Sequence, residues 1–186
     1  MKLFQYGCSV SLGEEATTCY GKLLAEKYNL EFIQRSESSA SNPWIALHFC
    51  ETFSDISKND IVIFGWSHPN RQSWYNIRSN KWEHMNYVQG KKPGSALVDS
   101  CKDYILNQYE ADGYIEQLHS WYPKHIVTTT CKLHGIKYMH VDCVPGMVDI
   151  LFENKVKYIA DHLHPNDEGH RYIHNLLQEE LILLLR

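Results

Sequence analysis

Short hydrophobic runs alternate along this chain with longer segments in which hydrophobic residues recur at helical spacing. The short runs predict four strands, at Leu3 to Tyr6, Leu30 to Gln34, Ile61 to Phe64 and Ile136 to Val141. The run that begins at Ile61 is continuously apolar, which predicts a strand in the core. Short apolar strands separated by helices are typical of a parallel sheet covered on both faces. The pattern therefore predicts an α/β fold.

Helical spacing predicts segments at about 16–28, from Pro43 onward, and twice between about 95 and 134, with interruptions near Gly113 and Pro123. A closing helix that packs on the sheet is predicted by Tyr172, Ile173, Leu176, Leu177 and Leu181. Between Trp66 and about Pro93 the residues become aromatic and polar, over a length unusual for a plain connection. We expect a single domain over 1–186, with an irregular insertion at about 66–93 that shapes the substrate pocket.

Composition narrows the class of protein. Of the 186 residues, 44% are hydrophobic and 22% are charged, as in ordinary globular domains. The net charge is −4 and the 18 Lys and Arg residues are scattered, so nucleic acid is not an expected partner. No apolar run approaches the roughly 20 residues that cross a bilayer, and the N-terminus turns polar early, so no membrane partner is expected.

The six cysteines have no paired spacing, which favours reduced thiols and a cytoplasmic protein. A secreted form with disulfide bonds stays open as an alternative, because the count of cysteines is even. The sequence predicts no oligomeric state.

Two short segments hold residues that could carry out nucleophilic chemistry. Gly7-Cys8-Ser9 follows the first predicted strand, and ligands of doubly wound sheets bind beyond the carboxyl ends of strands. A serine hydroxyl needs a neighbouring base, which in turn needs a third group to orient it. Asp161 and His164, three residues apart before the closing helix, could supply both.

In their order and placement, Gly7-x-Ser9 and Asp161-x-x-His164 resemble the blocks of the SGNH (GDSL-like) hydrolases. That family carries Gly-x-Ser after its first strand and Asp-x-x-His before its last helix. The resemblance implies a three-layer α/β/α fold with a flavodoxin-like parallel sheet. It also implies that Ser9 is the nucleophile, that His164 is the base and that Asp161 orients His164. Such a reaction needs no metal and no organic cofactor.

The resemblance is incomplete at the oxyanion hole, where the family uses a glycine N–H of a second block and an asparagine of a third. The second block here contains no glycine, and we assign its position to Ser39. The third block is replaced by a segment that runs from Gly65 to Arg71, in which Ser67, Asn70 or Arg71 must take the place of the asparagine. Loss of one such donor lowers turnover by about 10²- to 10³-fold.

By resemblance, the reaction is ester hydrolysis through an acyl-enzyme, and O-acyl or O-acetyl carbohydrates, lipids and related small esters are all candidate substrates. An aromatic pocket wall that binds substrate, and so favours a carbohydrate ester, is suggested by Trp66, Trp74, Tyr75 and Trp82. The same residues would also suit ordinary packing of a long insertion, and Arg71 would equally suit an ion pair with a carboxylate.

Simpler interpretations of the other motif residues also stay open. Ser9 could cap the first helix, Ser11 competes with it for both roles, and Cys8 could be a reactive thiol. Asp161 and His164 could form a surface pair at the start of the last helix.

Two other functions remain open from the sequence. A metal-dependent hydrolase is suggested by His162-x-His164 and His140-x-Asp142, whose side chains are plausible ligands. A binding module without catalytic activity would explain the altered oxyanion blocks.

Overall fold

The computed structural model describes residues 1–69, 71–86, 117–160 and 164–186. The strands in these residues are β1 (Lys2–Gly7), β2 (Glu31–Gln34), β3 (Ile61–Trp66), β4 (Arg71–Asn76), β5 (Lys81–Asn86) and β6 (Lys137–Asp142). Within the described part, four of them form one parallel sheet in the order β2-β1-β3-β6, while β4 and β5 form an antiparallel hairpin. The 2-1-3 order is that of flavodoxin-like sheets, which confirms the predicted fold class.

Helices cover this sheet on two sides. They are α1 (Ser9–Leu12), α2 (Tyr20–Lys27), α3 (Asn42–Thr52), α4 (Tyr122–His134), α5 (Val148–Phe152), α6 (Lys155–Tyr158) and α7 (Asp167–Leu185). A 3₁₀ turn follows α3 at Phe53–Asp55, and π-helical turns lie at Gln117–Trp121 and Cys143–Met147. α2 packs against α7, and α3 packs against α4. The result is three layers, with the core between sheet and helices.

The sequence explains why the central elements form where they do. β3 lies between β1 and β6 and all six of its residues are buried, as its continuous apolar run predicts. α3 begins with Pro43 in its first turn, and the Ser41 hydroxyl accepts a hydrogen bond from the Trp44 N–H. In α7 the buried residues Ile173, Leu177 and Leu181 recur every four positions and pack on the core.

The structure differs from the sequence prediction in three places. The helix predicted from about residue 16 begins at Tyr20, because the preceding residue Cys19 is extended, with φ −130° and ψ 159°. Leu176, expected in the core, is 46% exposed. The segment 71–86, expected to be irregular, is a hairpin in which Tyr75 pairs with Trp82. Predictions for the segment from 95 to 116 lie outside the described residues.

The cysteines of the described residues form no disulfide bond with one another; they are Cys8, Cys19, Cys50, Cys131 and Cys143. Cys101 lies outside the described residues. In the same part of the chain, no helix has the length and apolar character that crossing a membrane requires.

Two histidines lie largely inside the fold and hold their ring nitrogens away from solvent. The Trp66 indole N–H donates to Nδ1 of His140 at 3.0 Å, and Nε2 of His140 lies 2.9 Å from the Thr128 hydroxyl. His170 is 0% exposed and stacks on Tyr20. Burial lowers the pKa of each imidazole to about 4, and the Lys124 ammonium adds to the effect at His140.

We therefore expect the protein to lose stability as the pH falls. Above about pH 6.5 these histidines are neutral in both folded and unfolded chains, whereas between pH 6.5 and 4 only the unfolded chain binds the proton. Each such group should shift the unfolding equilibrium by about tenfold per pH unit in that window. Urea unfolding followed by circular dichroism at pH 7.5, 6.0 and 5.0 measures this slope.

His140→Gln should reduce the slope by the contribution of one proton. The matched control, His125→Gln, alters an exposed histidine and should leave the slope unchanged. An equal slope in wild type and His140→Gln would contradict the assignment.

Candidate active site

Ser9 stands immediately beyond the carboxyl end of a central strand. β1 ends at Gly7, Cys8 occupies the N-cap position, and Ser9 is the first residue of α1. The interpretation of Ser9 as a helix cap is therefore wrong. Its side chain is buried, with 1% exposure of the residue, and its Oγ forms no hydrogen bond with the described residues. The N–H groups in the first turn of a helix have no partner inside the helix, so the Ser9 N–H is available to a ligand.

Ser11, the competing serine, has a structural role. Its Oγ lies 2.7 Å from the Tyr20 hydroxyl and 3.5 Å from Sγ of Cys143, and the residue is fully buried. This cluster rests against Gly65, where an added Cβ would lie 2.6 Å from the Tyr20 hydroxyl oxygen. Ser11 thus anchors α1 to the sheet, and its hydroxyl is already engaged.

Ser67 occupies a position in the third block that corresponds to Ser9 in the first. The strand register pairs Gly7 with Gly65, and each serine lies two residues beyond one of these glycines. The side chain of Asn42 binds both backbone groups of Ser67: its Nδ2 donates to the carbonyl at 2.9 Å, and its Oδ1 accepts from the N–H at 2.7 Å. The Ser67 hydroxyl is buried and forms no hydrogen bond with the described residues.

Arg71 brings a buried positive charge to the same edge of the sheet. It begins β4, and its N–H donates to the His68 carbonyl at 3.0 Å across a tight turn. Arg71 is only 6% exposed, and two of its three guanidinium nitrogens, Nε and Nη1, are buried without an acceptor among the described residues. Asn70, the third candidate for the oxyanion hole, lies outside the described residues.

The predicted role of Trp66 in substrate binding is wrong. This residue is 1% exposed, its indole N–H donates to His140 inside the fold, and its ring stacks on Phe64. Trp66 therefore packs in the core, because it is the last residue of the buried strand β3. Of the predicted aromatic wall, Tyr75 on the hairpin is 45% exposed and meets Trp82 edge to face.

Ser39 adopts the backbone conformation that glycine favours. Its φ is 58°, in the left-handed region, where a side chain costs free energy. The loop that carries it is fixed to β1 by a hydrogen bond from the Glu37 N–H to the Gly7 carbonyl at 3.0 Å. The assignment of Ser39 to the glycine position of the second block stays a prediction, and its backbone adopts a conformation that glycine favours.

His164 lies against the turn that follows α1. Its Nδ1 is 3.2 Å from Oε2 of Glu15, and its Nε2 is 3.8 Å from Oε2 of Glu14. Glu14 also accepts a hydrogen bond from the Ser38 hydroxyl at 2.7 Å, which joins the second block to His164. No hydrogen bond between His164 and Ser9 occurs in the described residues, and Asp161 lies outside them.

A second contact fixes the loop before α7 to the turn after α1. The N–H and hydroxyl of Thr17 donate to the two carboxylate oxygens of Asp167 at 2.8 and 2.7 Å. These hydrogen bonds lower the pKa of the Asp167 carboxyl. The sequence analysis missed Glu14, Glu15 and this contact; the only signal was an acidic pair followed by two threonines shortly after Ser9.

The histidine pairs suggested as metal ligands are not assembled into a site within the described residues. Both ring nitrogens of His140 are engaged by Trp66 and Thr128, and Asp142 forms an ion pair with Lys124 at 2.5 Å. The part of the chain that is described contains no group of three or more potential ligands, and His162 lies outside it.

No protein-family model and no curated protein sequence matches the chain. Solved structures with a similar course of the chain include a lipolytic protein of the G-D-S-L family from Veillonella parvula, with 15% identity, a TM-score of 0.48 and coverage of 96% of this chain and 97% of that one. A lipase/acylhydrolase from Enterococcus faecalis has 12% identity, a TM-score of 0.46 and coverage of 97% and 94%. An acetyl xylan esterase, AlAXEase, has 13% identity, a TM-score of 0.45 and coverage of 97% and 100%.

These likenesses concern the course of the chain and carry no information on its reaction. The chemistry of the chain is therefore argued from the residues described above.

We expect Ser39→Gly to stabilise the protein, because glycine removes the cost of a left-handed backbone at a side-chain-bearing residue. The expected gain in the free energy of unfolding is up to about 1 kcal/mol. Ser39→Ala, which removes only the hydroxyl, should give no such gain. Chemical denaturation of the three proteins measures the difference, and equal effects of glycine and alanine would contradict the assignment.

Proposed function

We propose that the chain is a serine hydrolase that cleaves carboxylic esters through an acyl-enzyme on Ser9. One observation carries the proposal: the hydroxyls of Ser9 and Ser67 and two guanidinium nitrogens of Arg71 are buried without hydrogen-bond partners among the described residues, and the two serines follow the paired ends of β1 and β3. Buried polar groups that lack partners cost free energy and are rare in folded proteins. Such a group of donors suits a substrate that supplies the missing acceptors.

His164 is the proposed base. It packs against the turn that follows α1, and its two ring nitrogens face the carboxylates of Glu14 and Glu15. A base and its nucleophile need not be hydrogen-bonded before substrate binds, since such contacts commonly tighten in the complex. In the proposed mechanism, Nε2 of His164 must leave Glu14 and accept the proton of the Ser9 hydroxyl when substrate binds.

Two carboxylates are candidates for the group that orients His164. The SGNH resemblance assigns this role to Asp161, which follows the family's motif. The distance of 3.2 Å between Nδ1 of His164 and Glu15 favours Glu15 instead. A carboxylate on Nδ1 fixes the tautomer in which Nε2 can accept a proton, and it stabilises the cation that then forms.

The proposed reaction has two steps, the acylation of Ser9 and the hydrolysis of the acyl-enzyme. Oγ of Ser9 bonds to the acyl carbon while its proton passes to Nε2 of His164; the bond from that carbon to the alcohol oxygen then breaks, and the alcohol leaves with the proton. In the second step, water gives its proton to His164 and attacks the acyl group, and Ser9 recovers its proton as the acid leaves. The N–H groups of Ser9 and Ser39 and the side chain of Ser67 are the proposed donors to the oxyanion, and the side chain of Arg71 is proposed to bind another part of the substrate.

The acyl group should be small. Ser9 is 1% exposed, and the cluster of Ser11, Tyr20 and Cys143 packs directly behind α1, so a long acyl chain has no obvious path past the nucleophile. An acetyl ester, with a carbohydrate or other small alcohol, suits such a site best.

We expect the wild-type protein to hydrolyse 4-nitrophenyl acetate, and Ser9→Ala and His164→Ala to lower kcat by about 10³-fold or more. Ser11→Ala is the matched control, since it removes a hydroxyl from the same helix, and it should stay far more active than Ser9→Ala. A chelator should not change the rate. Inhibition by the chelator together with full activity of Ser9→Ala would contradict the serine mechanism and favour a metal-dependent one.

The same assay distinguishes the two carboxylates. Substitution of the true orienting group by its amide should lower kcat by about 10³- to 10⁴-fold, as expected when the imidazole takes the wrong tautomer. Glu15→Gln and Asp161→Asn should therefore differ greatly. Equal and small losses in both would contradict a role for either carboxylate.

A binding module on the same scaffold is the second candidate function. It is favoured by the low exposure of Ser9 and by the contacts of both His164 nitrogens with glutamates. It predicts no ester hydrolysis, together with ligand binding that Ser9→Ala leaves unchanged.

A further inference from the structure

Among the lysines and arginines of the described residues, Arg71 is the one that is almost completely buried. It is 6% exposed, whereas Arg78, at the tip of the same hairpin, is exposed and Arg171 forms an ion pair with Glu168 at 3.0 Å. A buried ionised group is costly unless another charge or a full set of hydrogen bonds compensates it. A compensating group is therefore expected at the position of Arg71.

The described residues do not supply that group. Nε and Nη1 of Arg71 donate to none of them, and no carboxylate in this part of the chain forms an ion pair with it. The carboxylate of Glu37, which lies on the loop after β2, contacts His84 at 3.4 Å instead. A guanidinium that is held in the interior with free donors is suited to bind an anion from outside the chain.

The surroundings place this charge beside the proposed nucleophile. Hydrogen bonding to Cys143 is the main cause that lowers the pKa of the Cys8 thiol, and the positive charge of Arg71 and the nearby polar side chain of Ser67 lower it further. Cys8 directly precedes Ser9 in the chain. The field of Arg71 therefore reaches the residue next to Ser9, and Ser67 lies within the same group.

The turn that carries Arg71 is held rigidly enough to select a ligand. Asn42 fixes both backbone groups of Ser67 at one end of the turn. Nδ1 of His119 lies 3.0 Å from the Pro69 carbonyl, and the Arg71 N–H closes the turn onto His68. A charge positioned in this way loses little conformational freedom when it binds an anion.

We propose that Arg71 selects esters whose alcohol part carries a carboxylate. The inference rests on the proposed ester hydrolysis and names its substrate class: O-acetyl esters of hydroxy acids, including sugar acids. The charge is assigned to the alcohol part because the proposed function already assigns a small acyl group to the buried Ser9. The Ser67 hydroxyl would donate a hydrogen bond either to the carboxylate that Arg71 binds or to the carbonyl oxygen of the ester.

The test compares 3-acetoxybenzoate with its neutral amide, 3-acetoxybenzamide, which has nearly the same shape. We expect the ratio of kcat/KM for the acid to that for the amide to fall by about 10- to 100-fold in Arg71→Gln, which is the range for a lost hydrogen bond to a charged group. Because the ratio is compared between proteins, the intrinsic reactivity of the two esters cancels. Arg71→Lys, which keeps the charge without the planar fork, should give an intermediate ratio.

Arg78→Gln is the matched control. It removes the same charge from the same hairpin at an exposed position, and it should leave the ratio at the wild-type value. An equal fall in Arg78→Gln would mean that the net charge of the protein attracts the acid, and the proposal would be wrong. An unchanged ratio in both Arg71 variants would also overturn it.

Two further measurements separate this inference from the proposed function and from a purely structural role. Calorimetric titration of Ser9→Ala with 3-acetoxybenzoate should show binding that is lost in Ser9→Ala/Arg71→Gln. Such binding, without hydrolysis by the wild type, would support the anion site and contradict the proposed hydrolase. Hydrolysis with an unaltered ratio would support the hydrolase and contradict the anion site.

Arg71→Gln should melt at or above the wild-type temperature, because it removes an uncompensated buried charge. A large fall in melting temperature would instead assign Arg71 a structural role.

Discussion

The close pairing of two glycines, Gly7 of β1 and Gly65 of β3, is the constraint on which the site depends. Without side chains at these positions, Ser11 can lie against the sheet and bond to Tyr20, so that α1 turns sharply away from the strand end. Added Cβ atoms would collide with this cluster. The same register aligns the ends of β1 and β3, and Ser9 and Ser67 each follow two residues beyond one of these glycines.

The site holds several groups in arrangements that cost stability. Ser9 and Ser67 bury hydroxyls without partners among the described residues, Arg71 buries a charge there, and Ser39 adopts a left-handed backbone. The surrounding contacts maintain them: Asn42 fixes the third block, and the core around β3 fixes the sheet. Backbone strain and unsatisfied polar groups are typical of functional sites, and in this fold buried polar atoms without partners also occur elsewhere, at Trp74 and His170.

Much of the fold could be predicted from the sequence because it depends on local patterns. The apolar run of β3, the Pro43 start of α3 and the spacing of Ile173, Leu177 and Leu181 each indicate one structure. The hairpin at 71–86 was missed because its strands carry few apolar residues in alternation and pair through exposed polar and aromatic side chains. Trp66 was misassigned because its burial depends on the position of β6, which the residues near Trp66 do not encode.

The candidate site, like the fold, has features that the sequence predicts and features that it does not. Ser9 and Ser39 could be assigned from their positions after strands, and the unusual backbone of Ser39 agrees with its assignment. The contacts of His164 with Glu14 and Glu15 join residues about 150 positions apart and depend on how the last loop packs, for which the sequence carries no short-range signal. The distinction between Ser9 and Ser11 likewise required knowledge of which hydroxyl is already bonded.

The most direct test of the central claim is covalent labelling with a fluorophosphonate probe, followed by peptide mass spectrometry. An activated serine reacts with such a probe, whereas an ordinary buried serine does not. Stoichiometric label on Ser9, absent from His164→Ala, is the predicted result. The absence of label on wild-type protein that is shown to be folded, or label on Ser11 instead, would contradict the assignment of Ser9 as the nucleophile.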